Sequence, residues 1–361
     1  MSGMVKVAAG HSPLWHKISY KLDAGEALPL VEKNIGEICR IIDEAADAGC
    51  ICVAFPEDTL GLTGWESGHL DTQKDLVGPA VELLLPAVSK KAAERSIYVI
   101  VCNDVFYGDD CCNTAVLFGR DGKEMGRYHK VNLPLSEQMR KRGDSFPVFE
   151  TPELGGIGMC ICYDMVFPET ARALALGGAD VIFHLTMGGA SAAGAGDAAF
   201  VTRAADNEVY LIVSWRGNSK IYAPSGKLLA EAEEGKDLTI AEFDPFGGRE
   251  FGDACGGIFP EHRARLFGME RVPEAYSILV DPNPPILKKF KDIKLPTPEE
   301  AARLGAEVLT TGQDRFSAAE ALVKAGKKDE AIAEFESMSE HFKTTWIGRA
   351  SRDRLAKLRE E

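Results

Sequence analysis

The chain has 361 residues, 45% of them hydrophobic, and a formal net charge of -14. That length can bury a large core in one or two domains, while the acidic balance excludes nucleic acid and anionic membrane surfaces, which are held by basic groups. The opening MSGMVKVAAGHSPLW lacks the charged start and apolar run of a secretory signal, and no later stretch reaches the length of a membrane span. A cytoplasmic location is therefore expected. Nine cysteines, an odd number with no C-x-x-C pair, are expected as reduced thiols rather than as a disulfide framework.

From the start to about residue 280, β-branched runs alternate with helical patterns: VKVAAG, LVEKNIGEICRIIDEAADAG, CICVAF, then IYVIVCNDVF, GIGMCIC, DVIFHL and VYLIVSW. The alternation predicts an α/β, or layered α+β, domain with a mostly buried sheet. IYVIVCNDVFYGDDCCNTAVLFGRDG reads as neighbouring strands around a turn, so the sheet is expected to be mixed. Residues 281–312 open with DPNPPILKKFKDIKLPTPEE, rich in proline and lysine without a sustained period, and read as a linker or surface-hugging arm. Residues 313–361 read as helices, with Phe316, Ala319, Leu322 and Val323 on one face, then Ala331, Phe335 and Met338, then Trp346, Ala350, Leu355 and Leu358. With AGKKDEA as the joint, this tail resembles about one and a half tetratricopeptide-type repeats. So short an array cannot bury its own apolar face, so it is expected to dock on the main domain or on a second chain rather than recruit a foreign partner.

Three apolar strands of the first 280 residues end in reactive side chains: ICVAFPED in Glu57, GRYHKVNLP in Lys130 and GMCICYD in Cys162. Each alone has an ordinary structural explanation: a carboxylate beside a helix start, a solvated charge, a core thiol. Together they make a chemical set. A thiol needs a base to become a nucleophile, and a carbonyl under attack needs a positive charge for its oxyanion. A carboxylate serves as that base once burial lifts its pKa, and a nearby ammonium compensates its charge.

The order Glu57, Lys130, Cys162, in the local texts FPE, HKVNL and CYDMVFPE, closely resembles the nitrilase superfamily of carbon–nitrogen hydrolases over about residues 4 to 280. LTGW after Glu57, GDSFPVFETPELGGIGM before Cys162, and TRAADNEVYLIVS and SKIYAPSGKLLAEA after it support the resemblance. It implies a four-layer α-β-β-α sandwich, frequently paired into a homodimer or higher homo-oligomer, with no metal or organic cofactor. It implies a second glutamate between the lysine and the cysteine, for which Glu137 is the positional match. Its mechanism has Glu57 take the thiol proton and Cys162 attack the amide carbon, while Lys130 and the backbone N–H of Tyr163 hold the oxyanion. Water then hydrolyses the thioester to a carboxylic acid. Trp65, Thr186 and Met187 are candidate pocket residues.

By the same comparison Asp164 is expected to pair with a basic residue such as Arg203, and Pro168 with Glu169 to start the next helix. Period-two geometry places Cys160 on the same strand face as Cys162, as a structural thiol. True nitrilases typically carry Trp-Glu after the nucleophile; Tyr163-Asp164 instead favours amides or N-carbamoyl compounds over nitriles. The commonest amidase text has an arginine, associated with a substrate carboxylate, where this chain has Val166, which leaves the acyl group open. Gly194, Gly196 and Ala199 formally match a dinucleotide fingerprint, but too far after their strand and without a later acidic ribose ligand. H-E-x-x-H, G-x-S-x-G and the P-loop pattern are absent, and His129 is read as a packing residue rather than a base. An acyltransferase using the same thioester, nitrile hydrolysis and a scaffold working through the tail stay open as alternatives.

Overall fold

A computed structural model describes residues 3–11, 18–188, 196–247 and 262–360. Cys255, the ninth thiol, and Gly194, the start of the formal dinucleotide match, lie outside the described residues. In chain order the elements are β1 (Val5–Gly10), α1 (Ala24–Asp47), β2 (Cys50–Ala54), α2 (Thr63–Gly68), α3 (Lys74–Arg95), β3 (Tyr98–Tyr107), β4 (Asp110–Phe118), β5 (Glu124–His129), β6 (Val148–Thr151), β7 (Gly155–Ile161), α4 (Pro168–Leu176), β8 (Ala179–Thr186), α5 (Ala198–Ala205), β9 (Tyr210–Trp215), β10 (Lys220–Tyr222), β11 (Leu228–Glu231) and β12 (Leu238–Phe243). After them come the single turn α6 (His262–Ala264), then α7 (Pro298–Glu307), α8 (Gln313–Lys324), α9 (Lys328–His341) and α10 (Trp346–Glu360).

The strands form two six-stranded mixed sheets, ordered β12-β1-β2-β3-β4-β5 and β11-β10-β9-β8-β7-β6. The parallel pairs sit centrally, β1 with β2 and β2 with β3 in one sheet, β7 with β8 and β8 with β9 in the other. Parallel strands covered on both faces carry continuous apolar runs, which is why CICVA and GGIGMCI show no polar alternation. One set of alternate residues, including Val7, Cys52, Ile100, Met159 and Phe183, fills the space between the sheets. The opposite set packs outward, Val53 and Val99 against α1 and α3, Ile182 and Leu211 against α4 and α5. The result is the α-β-β-α sandwich. Helix α1 starts where Asp23 accepts from Glu26 N (2.8 Å) and Glu26 answers to Asp23 N (3.1 Å), a capping box. As expected, Pro168 opens α4.

The two sheets are tied at one buried carboxylate. Asp164 accepts from the Tyr128 hydroxyl at 2.6 Å, from Asn132 N at 2.7 Å and from Ile161 N at 3.0 Å. Tyr128 lies on β5 of the first sheet and Ile161 ends β7 of the second. The expected Asp164–Arg203 pair does not form: Asp164 points between the sheets, while Arg203 lies on α5, outside the second sheet. Backbone amides and a phenol, invisible as charge partners in a sequence, take the guanidinium's place.

Within the stretch read as a linker or arm, residues 298–307 form helix α7. Thr297 and Glu300 supply its capping box and Pro298 its first turn. Its buried face is Ala301, Ala302 and Ala306, small residues that give no strong period. The tail helices close around Ala319, Ala331, Phe335, Leu355 and Leu358. Trp346, expected inside, is 51% exposed; α10 turns Ile347, Gly348 and Ser351 inward instead. The tail is held to the sandwich where Tyr20 and Lys21 both donate to Asp314, at 2.8 and 2.7 Å. Among the described residues no helix is long and apolar enough to cross a membrane.

Two predictions follow from buried groups of this frame. In Asp164→Asn the amide nitrogen meets donors where an acceptor stood, so urea unfolding should show a loss of about 2–3 kcal/mol, against about 1 kcal/mol for Tyr128→Phe; equal stability of all three chains would remove Asp164 as the inter-sheet tie. His184 is fully buried beside Phe200, and burial together with the Lys130 charge lowers its pKa from 6.5 to about 3. Its neutral form therefore contributes stability that is complete above pH 6.5 and is lost as pH falls toward 3, by about 1.4 kcal/mol per pH unit. His184→Gln should flatten that slope in a pH series of denaturant melts.

Candidate active site

Glu57, Lys130, Glu137 and Cys162 arrive at one place from four segments. Strand β2 is followed by Phe55-Pro56-Glu57, and the next turn is pinned by Thr59, whose N–H donates to Cys102 O (2.8 Å) and whose hydroxyl donates to Pro56 O (2.9 Å). Lys130 continues β5, its N–H donating to Asn113 O at 2.9 Å. The chain then loops through a 3-10 turn, Leu135–Glu137, and returns with Gly143 N donating to Lys130 O at 2.9 Å. A Cβ on Gly143 would stand 2.1 Å from His129 O, so this close return requires glycine.

The Lys130 ammonium is fully buried and donates to Glu57 Oε1 at 2.9 Å and to Glu137 Oε2 at 2.8 Å. Burial alone would lower its pKa, but Glu57, Cys162 and Glu137 outweigh it and hold it well above the ordinary lysine range. Glu137 behaves reciprocally: burial pushes its pKa up, and Lys130 and Arg140 bring it below the usual carboxylate value. Asn113 donates its side-chain N–H to the same Glu57 Oε1 at 2.8 Å. Glu57 Oε2 is buried with no hydrogen-bond partner among the described residues. One oxygen of Glu57 is thus locked in place while the other stands ready to accept a proton.

Cys162 follows β7 with φ +45°, outside the range that non-glycine residues favour. Such a conformation costs about 1–3 kcal/mol and marks a position fixed by its surroundings. The backbone then enters a 3-10 turn, Cys162–Val166, so the Tyr163 N–H lies at the turn's start, where helical N–H groups have no intrahelical acceptor. The same kink breaks the period-two expectation for Cys160. Cys160 packs outward with Met165 and Leu174, while Cys162 packs toward the space between the sheets. Burial and the Glu57 charge, opposed by Lys130 and a side-chain hydrogen bond with Thr186, push the Cys162 thiol up to about 12.

A cavity of about 120 Å³ opens beside these groups. Glu57, Glu137, Asn113 and Met187 line one side, and Ala302, Gly305, Ala306 and Leu309, from the stretch read as a linker or arm, form its roof. Gly305 lies directly on Ser136, next to Glu137: an added Cβ would be 3.0 Å from the serine Cβ. Met187 is 45% exposed and lines the cavity, whereas Thr186 is buried and shapes the turn through hydrogen bonds with Gly188. Trp65 departs from its expected place in the pocket. It sits in the core of the outer helical layer, stacked on His69, with its indole N–H on Leu22 O at 2.9 Å.

Sequence reasoning missed Asn113, Asp58, Glu66 and Arg140 at this site. Asn113 is embedded in an apolar strand with no motif around it. Asp58 and Arg140 are charged residues of loops and Glu66 one of the short helix α2, and their enclosure comes only from the tertiary fold. Arg140 donates to both oxygens of Asp104, at 2.9 and 2.7 Å, and stands 3.8 Å from Glu66. Among the described residues no group of three or more His, Cys, Asp and Glu side chains is placed to hold a metal ion.

Residues 26–251 match the family model described as carbon-nitrogen hydrolase. An omega-amidase of Xenopus laevis is 30% identical over 250 residues, covering 60% of this chain and 84% of its own. A nitrilase of Pyrococcus abyssi is 32% identical over 234 residues, covering 59% and 84%, and a deaminated glutathione amidase of Synechocystis is 29% identical over 248 residues, covering 60% and 88%. Among solved structures, a carbon-nitrogen hydrolase of Helicobacter pylori superposes with a TM-score of 0.60 at 21% identity, covering 77% of this chain and 98% of that one. A variant amidase of Nesterenkonia sp. AN1 superposes at 0.58 with 18% identity, covering 76% and 95%, and carries the acetamide moiety of fluoroacetamide on its active-site cysteine. With the family model spanning well over half of its length and the same layered fold in its structural relatives, this chain belongs to the carbon-nitrogen hydrolase family.

Proposed function

We propose that the site hydrolyses the carbon–nitrogen bond of a small amide or N-carbamoyl compound through a thioester on Cys162. The observation that carries this reading is the buried Lys130 ammonium between Glu57 and Glu137, with the second oxygen of Glu57 unpartnered. A thiol held near 12 is almost wholly protonated at neutral pH, so attack needs a base in place as it occurs. Glu57 Oε2 takes the proton as the sulfur bonds to the carbonyl carbon. The carbonyl electrons move to oxygen, and Lys130 with the Tyr163 N–H stabilises the oxyanion. As the tetrahedral centre collapses, Glu57 returns the proton to the departing nitrogen, releasing ammonia or an amine. Water, deprotonated by Glu57, then cleaves the thioester to the carboxylic acid and the free thiol. Glu137 acts as a positioning residue by fixing the Lys130 ammonium. The covalent adduct on the cysteine of the Nesterenkonia amidase supports a nucleophilic thiol.

In this reading residues 1–280 supply the chemistry, the arm of residues 281–312 roofs the site through residues 302–309, and the repeat-like helices of residues 313–361 dock in cis. Self-association belongs to the same reading, supported by the exposed apolar residues Met269, Val280, Phe290 and Leu295. Tyr163-Asp164 after the nucleophile favours amides over nitriles. Nitrile hydrolysis is the second reading, favoured by the likeness to the Pyrococcus nitrilase.

The test is ammonia and acid release from a panel of primary amides, N-carbamoyl compounds and nitriles. Cys162→Ala should abolish all release, and Glu57→Gln should lower kcat by about 10²–10⁴. Release that persists in folded Cys162→Ala would end the thiol mechanism, and release from nitriles alone would favour the second reading. The roof has its own test. Ala306→Leu adds carbons on the cavity side of the arm and should lower kcat/KM for the better substrates about tenfold; an unchanged value would show that the arm does not bound the substrate.

A further inference from the structure

The cavity is more acidic than this hydrolysis requires. Five carboxyl side chains line it, those of Glu57, Asp58, Glu66, Asp104 and Glu137, against the single cationic lining residue Arg140. Lys130 answers Glu57 and Glu137. Arg140 is spent on Asp104, which it contacts through Nε and Nη2. Two carboxyl groups remain. Glu66 is 5% exposed, and its cationic neighbour among the described residues, Arg140, stands 3.8 Å off, beyond hydrogen-bond reach. Asp58 accepts from the backbone N–H groups of Leu62 and Thr63, at 2.6 and 3.1 Å, and has the positive charge of Arg216 beside it, which leaves Glu66 as the carboxyl group with the weakest partner.

Buried carboxylates are ordinarily paired with cations. Burial raises the pKa of both groups, Glu66 well above the ordinary value with Asp104 adding to the effect, and Asp58 to about 6. Arg216 opposes the shift at Asp58 and Arg140 opposes that at Glu66, but among the described residues no cation reaches Glu66 within hydrogen-bond distance. The missing charge has a place to enter: the lined space itself, bounded on one side by Glu57, which has a buried oxygen without a partner, and on the other by the apolar roof. An enclosed volume of about 150 Å³ holds a benzene-sized molecule, so a cavity of about 120 Å³ suits a short chain.

We propose that the substrate is a short amide or N-carbamoyl compound whose far end is a cationic amine, with Glu66 as the charge partner of that amine. This deepens the hydrolase reading and rests on it. Amide and ammonium would lie at opposite ends of the cavity, joined by a few methylene groups against Ala302 and Ala306. A substrate ending in a carboxylate would instead add a sixth negative group, consistent with Val166 at the position where the commonest amidase text has an arginine.

Three amides of similar length decide the matter: 4-aminobutanamide, pentanamide and succinamate, each measured with the full chain and with Cys162→Ala. The expected order of kcat/KM is amine over neutral by at least about tenfold, the value of one charge-assisted contact, and neutral over acid. Glu66→Gln should shrink the amine-to-neutral ratio, chiefly by raising KM for the amine. Cys162-dependent turnover with no charge preference, or with the acid preferred, would overturn this inference and leave the thiol hydrolase standing. Turnover independent of Cys162 would overturn the hydrolase reading. If none of the three is turned over, protection of Cys162 from iodoacetamide decides: slowing by n-butylammonium and not by butyrate supports the inference, and equal slowing, none, or slowing by butyrate overturns it.

Discussion

The structure of the site depends on one buried ion. Removing a lysine ammonium from water costs several kcal/mol even after relaxation, and it is tolerated only where opposite charges and hydrogen bonds compensate it. Lys130 is fully buried at the end of β5, so carboxylates had to be brought to it, one from the end of β2 and one from the loop that returns through Gly143. Neither carboxylate would be stable there without the ammonium. The loss of Lys130 would leave two buried carboxylates without a counter-charge, which costs about 3–5 kcal/mol. This mutual dependence places Glu57 with the accuracy that a proton transfer needs.

The nucleophile is placed by a second constraint that meets the first at Asp164. Its carboxylate takes donors from Tyr128 and Asn132, on either side of Lys130, and from Ile161, directly before Cys162. The two reactive strand ends are therefore held to one another through a side chain that does no chemistry. The left-handed backbone at Cys162 turns the thiol out of the strand's alternation, toward the inter-sheet side. The strain there, about 1–3 kcal/mol, is sustained because the turn that follows is anchored by Asp164 and Thr170, whose hydroxyl donates to Asp164 O at 2.8 Å.

Much of this was legible in the sequence, because the strands carry the pattern that buried strands must carry. The layered fold follows from uninterrupted apolar runs such as CICVA and from the helical spacing of Val31, Ile35, Ile38 and Ile42 in α1. Glu57, Lys130 and Cys162 stood out as charged or nucleophilic groups at strand ends, and Glu137 by its place between the last two. What escaped notice depends on tertiary burial or on a local break of period. The resemblance pairs Asp164 with a basic residue, whereas four neutral donors, from Tyr128, Ile161 and the backbone and side chain of Asn132, satisfy it. Trp65 was taken for a pocket residue, but a large aromatic on a short helix more readily fills the outer core. Cys160 was placed with Cys162 by an alternation that a single positive φ undoes. Helix α7 went unseen because alanine and glycine pack closely without marking a hydrophobic face.

That helix bears on how chemistry and selectivity are divided along the chain. The family model ends at residue 251, and the curated relatives cover about three fifths of this chain, yet the roof of the cavity comes from residues 302–309. The floor with its glutamates is built from the shared part, the lid from outside it. Small residues suit a lid for a physical reason: Ala302, Gly305 and Ala306 let a helix backbone approach Ser136 closely, which seals the cavity without filling it. Sealing lowers the local dielectric and strengthens every charge interaction inside, so an excess carboxylate counts for far more under this roof than it would in an open cleft. On the proposed reading residues 302–309 would act on the substrate through the environment they create around Glu66 as well as through their own contacts, and changes in their sequence would alter selectivity while leaving Glu57, Lys130 and Cys162 in place.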